Sequence, residues 1–261
     1  LNSLQALILG AVEGLTEFLP VSSTGHLILA SKFLGLQGEY TEAFEIVIQS
    51  GAIAAILWLR RERFLNLWPG RGSGPLAGWQ GLQNLALCTL PALALAGLFG
   101  SKIKAALFFP GPVALAMVVG AIFILILDRP GHLGSRSLPS LSRRDVLLIG
   151  LAQCLALWPG MSRAACTILG AMALGFDRES ATEFSFLAAV PILLAATAHD
   201  ALKHRQAFAA DPLPLLLGWV CAFAVACLAV KGFLSLLKGK GLRPFAWYRL
   251  AAAPLFYMLL G

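Results

Sequence analysis

A chain of 261 residues that is 58% hydrophobic and only 13% charged, with a mean hydropathy of +0.79, is not a water-soluble globular domain, which keeps about a quarter of its residues charged. Nor is it a disordered segment, which needs low hydrophobicity; a polytopic membrane protein forming a single membrane domain over 1–261 remains. The 20 Lys and Arg against 13 Asp and Glu give a net charge of +7, an excess that serves membrane topology first and does not support a nucleic-acid partner. Five cysteines, at 88, 154, 166, 221 and 227, lie in apolar runs without a CxxC pair, where a thiol behaves as a small buried hydrophobe. The chain opens Leu1-Asn2-Ser3 with no basic stretch ahead of an apolar run, so no cleavable signal peptide is expected.

The first element, 4–35, is apolar but broken by Phe18-Leu19-Pro20-Val21-Ser22-Ser23-Thr24-Gly25-His26. A spanning helix needs about 20 residues, so neither half crosses alone. Irregular backbone at membrane depth is tolerated only where protein or a water-filled cavity satisfies it, and the segment reads as a re-entrant helix–loop–helix hairpin. Spans follow at about 44–60, 82–99 and 112–127. A second broken segment, 145–175, is interrupted by Trp158-Pro159-Gly160-Met161-Ser162-Arg163 and precedes spans at about 184–198, 213–230 and 245–260.

A shift of 140 positions pairs Gly10 with Gly150, Leu15 with Leu155, Ser22 with Ser162 and Gly35 with Gly175; it continues without a gap to Phe44 and Phe184. The expected fold is therefore an all-α integral membrane protein of two repeats, about 1–128 and 141–261, each a re-entrant hairpin plus three transmembrane helices, six spans in total. An odd number of crossings per unit inverts the second repeat. The loops at 60–78, 128–144 and 231–243 carry four basic residues each, whereas the alternate loops offer only Lys102 and Lys104 or Lys203 and Arg205. By the positive-inside rule the rich loops are cytoplasmic, which puts both termini and the mouth of the first hairpin on the outer face. The second hairpin then enters from the cytoplasm, and the two polar loops meet near the midplane.

Glu13 and Glu17 are one helical turn apart, and carboxylates within a membrane are functional candidates. They repel unless a proton is shared or a hard divalent cation such as Mg²⁺ or Ca²⁺ intervenes, and both readings stay open. Ser22-Ser23-Thr24-Gly25-His26 places hydroxyls and free N–H groups at a helix N-terminus, and Ser162-Arg163 repeats the arrangement with a permanent charge suited to phosphate oxygens. Together they suit a pyrophosphate. His26 beside Ser23 gives a base next to a hydroxyl, or else a buried imidazole bonded to a backbone carbonyl; His132, His199 and His204 fall in loops or at helix ends, with solvated or capping roles. Glu45 and Gln49, again one turn apart, either support the site from behind or, for Glu45, solvate a helix end, and neither is read as catalytic. Tyr248-Arg249 is expected to snorkel towards the interface, within reach of lipid phosphate.

The stretch from Glu13 to His26 resembles the signature of the bacterial undecaprenyl pyrophosphate phosphatases, the bacitracin-resistance family. The resemblance extends through Phe44–Gly51, Leu157–Arg163 and Glu183–Pro191, with the middle, about 62–145, similar mainly in hydropathy. It implies a multi-pass enzyme of the bacterial plasma membrane. Such an enzyme removes the terminal phosphate of a C55 polyprenyl pyrophosphate on the periplasmic or outer face, needs a divalent cation and recycles the carrier lipid for peptidoglycan synthesis. The resemblance implies catalytic Glu13, Glu17, Ser23, His26 and Arg163, substrate-binding Ser22, Thr24, Gly25, Ser162 and Thr167, and Glu13 and Glu17 as metal ligands. Ser23 would attack with His26 as base, or His26 would position a water. The family usually continues from the Arg with Ser-Gly-Ala-Thr, whereas Ala164-Ala165-Cys166-Thr167 stands here, a departure that bears on turnover and substrate preference. The rival reading is a transporter or flippase of a phosphorylated polyprenyl lipid, because inverted repeats with broken helices also build transporter sites. A homodimer is compatible with the sequence, which does not separate a lipid-facing stripe from a subunit interface.

Overall fold

The computed structural model describes residues 1–129 and 134–260; His132 lies outside them. The described residues form helices α1 (Ser3–Thr16), α2 (Ser23–Phe33), α3 (Glu39–Leu59), α4 (Arg61–Leu65), α5 (Gly78–Leu107), α6 (Pro110–Leu127), α7 (Arg143–Gln153), α8 (Arg163–Ala173), α9 (Arg178–Lys203), α10 (Arg205–Ala210), α11 (Pro212–Lys240) and α12 (Arg243–Leu260). Among them there is no β-strand, only a bridge between Arg136 and Phe176. Five helices, α3, α5, α6, α9 and α11, are long and apolar enough to cross a membrane. The chain is an integral membrane helical protein. The sixth expected crossing coincides with α12, whose 18 residues include Arg243, Arg249 and Pro254; it is not among those five.

Both broken segments are helix pairs. At about 1.5 Å per residue, α1, α2, α7 and α8 reach roughly 16–21 Å, short of a hydrocarbon core of about 30 Å. Their local chemistry matches at the 140-residue offset. Asn2 caps α1 by accepting from the Gln5 N–H while the Gln5 side chain returns to the Asn2 N–H. Ser142 and Asp145 form the same reciprocal capping box at the start of α7, satisfying backbone donors that a helix start leaves orphaned. Gly35 and Gly175, which end α2 and α8, both have positive φ, 67° and 85°, a conformation glycine adopts without a Cβ penalty.

Small residues set the closest packing. Gly10 and Gly14 of α1 face Gly218, Ala222 and Ala226 of α11; a Cβ on Gly10 would lie 2.4 Å from the Gly218 carbonyl oxygen, and one on Gly14 equally close to that of Ala222. In lipid, where apolar side chains gain little by leaving acyl chains, such close backbone approach is a main source of helix association. Other extensive contacts join α11 to α3, α12 to α6, α5 to α7 and α3 to α9.

Helices α3 and α9 run antiparallel. At one end Arg60 and Arg63 pair with Glu183 at 3.2 and 3.3 Å, and at the other Lys203 reaches Glu39 at 2.5 Å and Lys104 pairs with Glu42. Asp128, wholly buried, accepts from Arg178 Nε and from the Leu242 N–H, tying α6, α9 and the α11–α12 turn together. Cys88 and Cys166 are buried, the other three cysteines are partly so, and all five carry free thiols.

Candidate active site

The two broken loops meet. Ser22 and Ser162 are the only non-glycine residues with positive φ among the described residues, at 73° and 72°. Outside glycine this region is sparsely populated, and a residue persists in it where surrounding contacts over-determine the backbone. Each serine caps the helix it precedes: Ser22 Oγ accepts from the Gly25 N–H of α2, and Ser162 Oγ from the Ala165 N–H of α8. Ser162 Oγ also donates to the Leu19 carbonyl of the opposite loop, at 3.5 Å.

Between the loops lies a cavity of about 160 Å³, lined among others by Glu17, Ser22, Ser23, Thr24, Ser162 and Arg163. Glu17 is its hub. The carboxylate accepts from Ser23 Oγ on Oε2 at 2.5 Å and from Arg163 Nη2 on Oε1 at 2.9 Å. Arg163 is fixed by Ser185, whose carbonyl and hydroxyl accept from Nη1 at 3.3 and 3.5 Å, and by the Phe18 ring 5.5 Å below the guanidinium carbon. Its Nε, buried and without a partner among the described residues, is a donor held in reserve beside the cavity.

The remaining expected residues are distributed around this hub. Glu13, one turn before Glu17 and fully buried, lies beside the Glu17 carboxyl with neither of its own oxygens hydrogen-bonded. The sequence sets His26 beside Ser23 as its base, but the ring turns back over the start of α2. Its Nδ1 lies 2.7 Å from the Ser22 carbonyl oxygen and its Nε2 2.5 Å from the Tyr248 hydroxyl. A carbonyl only accepts, so Nδ1 carries the proton and Nε2 of the neutral ring accepts from Tyr248. The hydroxyl of Ser23 goes to Glu17 instead. Thr24 lines the cavity, while Gly25 lies under Phe256, whose ring would be 3.2 Å from a Cβ there. Thr167, expected at the substrate, is wholly buried behind Arg163, its hydroxyl bonded to Ser185 Oγ at 2.6 Å and to the Arg163 carbonyl. Gln49 reaches the cavity wall, and Glu45 accepts from Ser31 at 2.5 Å on a neighbouring groove.

Arg249 overturns the expectation of a snorkelling side chain. It is wholly buried and donates five hydrogen bonds of 2.8–3.1 Å to backbone carbonyls: Pro20 of the first loop, Gly160 and Met161 of the second, and Ala116 and Met117 of α6. Gly120 makes room for it, since a Cβ there would stand 2.2 Å from Nη2. Broken helices strand backbone acceptors in the buried interior, where each unsatisfied group is costly. One guanidinium satisfies three of them and binds the loops to each other. The single clue in the sequence is that Arg249 is the one charged residue of the apolar stretch 245–260.

Fold and site together define a multi-pass helical membrane protein with a buried carboxylate–hydroxyl–guanidinium centre between two helix-breaking loops. The sequence model of the family described as bacitracin resistance protein BacA matches residues 6–255, and the chain belongs to that family. It is similar along nearly its whole length to proteins named undecaprenyl-diphosphatase. One from Nitratidesulfovibrio vulgaris is 48% identical over 264 residues, 99% of this chain and 98% of that protein. One from Oleidesulfovibrio alaskensis is 49% identical over 255 residues, 96% of each. An undecaprenyl-diphosphatase 1 from Burkholderia ambifaria is 48% identical over 263 residues, covering 98% and 95%.

Proposed function

We propose that this chain hydrolyses undecaprenyl pyrophosphate to undecaprenyl phosphate and inorganic phosphate, at a site open to the outer face of a bacterial plasma membrane, and so recycles the carrier lipid for peptidoglycan synthesis. The observation that carries the reading is the Glu17 carboxylate bridging Ser23 Oγ and Arg163 between two helix N-termini. A carrier needs a binding site; a hydroxyl held on a carboxylate beside a guanidinium is the constellation of an activated nucleophile with charge stabilisation.

In the mechanism this geometry supports, the pyrophosphate enters between the N-termini of α2 and α8, whose free N–H groups and positive ends favour anions. Arg163 exchanges its contact with Glu17 for phosphate oxygens, using the idle Nε as well. Ser23 Oγ attacks the terminal phosphorus while Glu17 takes its proton, and the bond to the bridging oxygen breaks to release the lipid monophosphate. Water then resolves the phosphoserine. Phosphoryl transfer is mainly positioning and charge stabilisation, so Arg163 carries more of the rate than the capping serines. His26, held between Ser22 and Tyr248, positions the first loop.

Glu13 and Glu17 fit a divalent cation: two adjacent carboxylates, one of them buried with both oxygens unspent. No third His, Cys, Asp or Glu joins them among the described residues, which suits Mg²⁺ or Ca²⁺ completed by phosphate oxygens and water. When bound, the cation would neutralise pyrophosphate charge as a Lewis acid.

Six spans in two inverted repeats are supported by the 140-residue correspondence of the capping boxes, of Ser22 with Ser162 and of Gly35 with Gly175, and by the antiparallel course of α3 and α9. The outer-face site is supported by the basic loops lying at the Arg60–Glu183 end, where Asp128 also meets Arg178 and Leu242, opposite the start of α3. The test is phosphate release from C55 polyprenyl pyrophosphate by detergent-purified protein, with and without Mg²⁺ or Ca²⁺. Cation-dependent release without a second compartment supports the enzyme; substrate binding without release favours the flippase.

A further inference from the structure

Gln153, the last residue of α7, lines the same cavity as Glu17, Ser23 and Arg163 and is 1% exposed. No function assigned so far uses it. At the 140-residue offset it stands where the first hairpin has Glu13, so each hairpin carries one buried polar side chain at the same helical position. The amide is oriented. Its Nε2 donates to the Cys88 carbonyl of α5 at 3.3 Å, and Gly150, one turn earlier, holds α7 against that carbonyl so closely that a Cβ would lie 2.5 Å from its oxygen. Turning the amide over would set two acceptor oxygens against each other, so the nitrogen stays on Cys88. The other polar atom, Oε1, is buried and accepts no hydrogen bond among the described residues.

A buried acceptor left unsatisfied costs about 1–3 kcal/mol, and an acceptor is the wrong group to meet an unprotonated phosphate oxygen. What it can take from the reaction is an O–H of water. We propose that Gln153 is a water-positioning residue, its Oε1 accepting a hydrogen bond from the water that attacks phosphorus. The proposal rests on the phosphatase reading and holds whether water attacks the phosphoserine or the pyrophosphate itself. The water oxygen forms the new P–O bond as the bond to Ser23 Oγ, or to the bridging oxygen, breaks. In the phosphoserine step Glu17 returns to Ser23 Oγ the proton it took and accepts one from the water, whereas in direct attack the unprotonated Glu17 accepts it at once; the other water proton stays on the oxygen and points at Gln153 Oε1.

Methanol is the discriminating probe. Its single O–H proton is spent on the base, so it attacks without help from Gln153, and the ratio of methyl phosphate to inorganic phosphate reports on water positioning independently of the overall rate. With terminally ³²P-labelled C55 polyprenyl pyrophosphate in detergent and a fixed methanol concentration, Gln153→Met is expected to raise this ratio about two- to tenfold, the worth of one hydrogen bond. Gln153→Glu as the neutral acid, whose O–H donates to the Cys88 carbonyl while the other oxygen still accepts, should stay nearer the wild-type ratio. If Gln153→Met does not fold, Gln153→Asn carries the same test by withdrawing the amide one methylene. A ratio equal to wild type in a folded variant, however slow, overturns the proposal and marks Gln153 as packing only. Wild type that releases no phosphate in either form overturns the phosphatase reading instead.

Discussion

Removing Arg249 should uncouple the two loops that break the helix pairs. In Arg249→Met the carbonyls of Pro20, Gly160 and Met161, which accept no other hydrogen bond among the described residues, lose their donor. At about 1–3 kcal/mol for each buried acceptor left unsatisfied, the three together amount to roughly 3–9 kcal/mol. Relief from burying a guanidinium that has no carboxylate partner offsets part of this. A net loss of about 3 kcal/mol, at about 2–4 °C per kcal/mol for a chain of this size, lowers Tm by about 6–12 °C. Thermal unfolding in detergent, followed by tryptophan fluorescence, reads that shift, and phosphate release reads the misplacement of Ser22 and Ser162. Gly120→Ala approaches the same contact from the other side, because its Cβ overlaps Nη2; Gly97→Ala, where a Cβ meets open space, should change nothing. Arg249→Met with a wild-type Tm and unchanged phosphate release would refute the reasoning.

Further outcomes follow from the same geometry. Arg163→Lys keeps a charge but loses the planar fork and the idle Nε donor, and should lower kcat/KM on C55 pyrophosphate by about 10²-fold or more; an effect under threefold argues against phosphate contact. Chelation should abolish phosphate release and Mg²⁺ or Ca²⁺ restore it, with Glu13→Gln needing a higher cation concentration; full activity in excess chelator would remove the cation from the account. Gly14→Leu should destabilise the fold by about 1–3 kcal/mol or more, as overpacking does where backbone must separate, read as a lower Tm in detergent. In a cysteine-free background, a thiol placed at Gln37 should react with an impermeant maleimide on intact cells while one at Ser73 should not; the reverse pattern would invert the assigned topology.

Much of this was legible in the sequence because membrane constraints are coarse and strict. Pro20 and Pro159 amid polar residues could not continue a lipid-exposed helix, so both hairpins showed as interruptions, and α3, α5, α6, α9 and α11 followed from apolar length. The offset relating Ser22 to Ser162 also pairs Glu13 with Gln153, a signal that was present but unread because the residue types differ. Other features depend on tertiary direction. Whether Ser23 turns to Glu17 or to His26 is decided by the Ser22 carbonyl and Tyr248, the latter 222 residues from His26. Arg249 reads as an interfacial cation until the two loops and α6 are assembled around it. Thr167 looks like a substrate hydroxyl until Ser185, on α9, claims it.

The central claim is that Glu17 and Ser23 act as one unit on the terminal phosphate, and a double-mutant cycle on phosphate release tests it most directly. Wild type, Glu17→Gln, Ser23→Ala and the double variant are compared under single-turnover conditions with C55 polyprenyl pyrophosphate in detergent. Residues that act together are strongly non-additive, so the double variant is expected to be no slower than the slower single variant. Losses that multiply, or a Ser23→Ala enzyme as fast as wild type, would contradict the account.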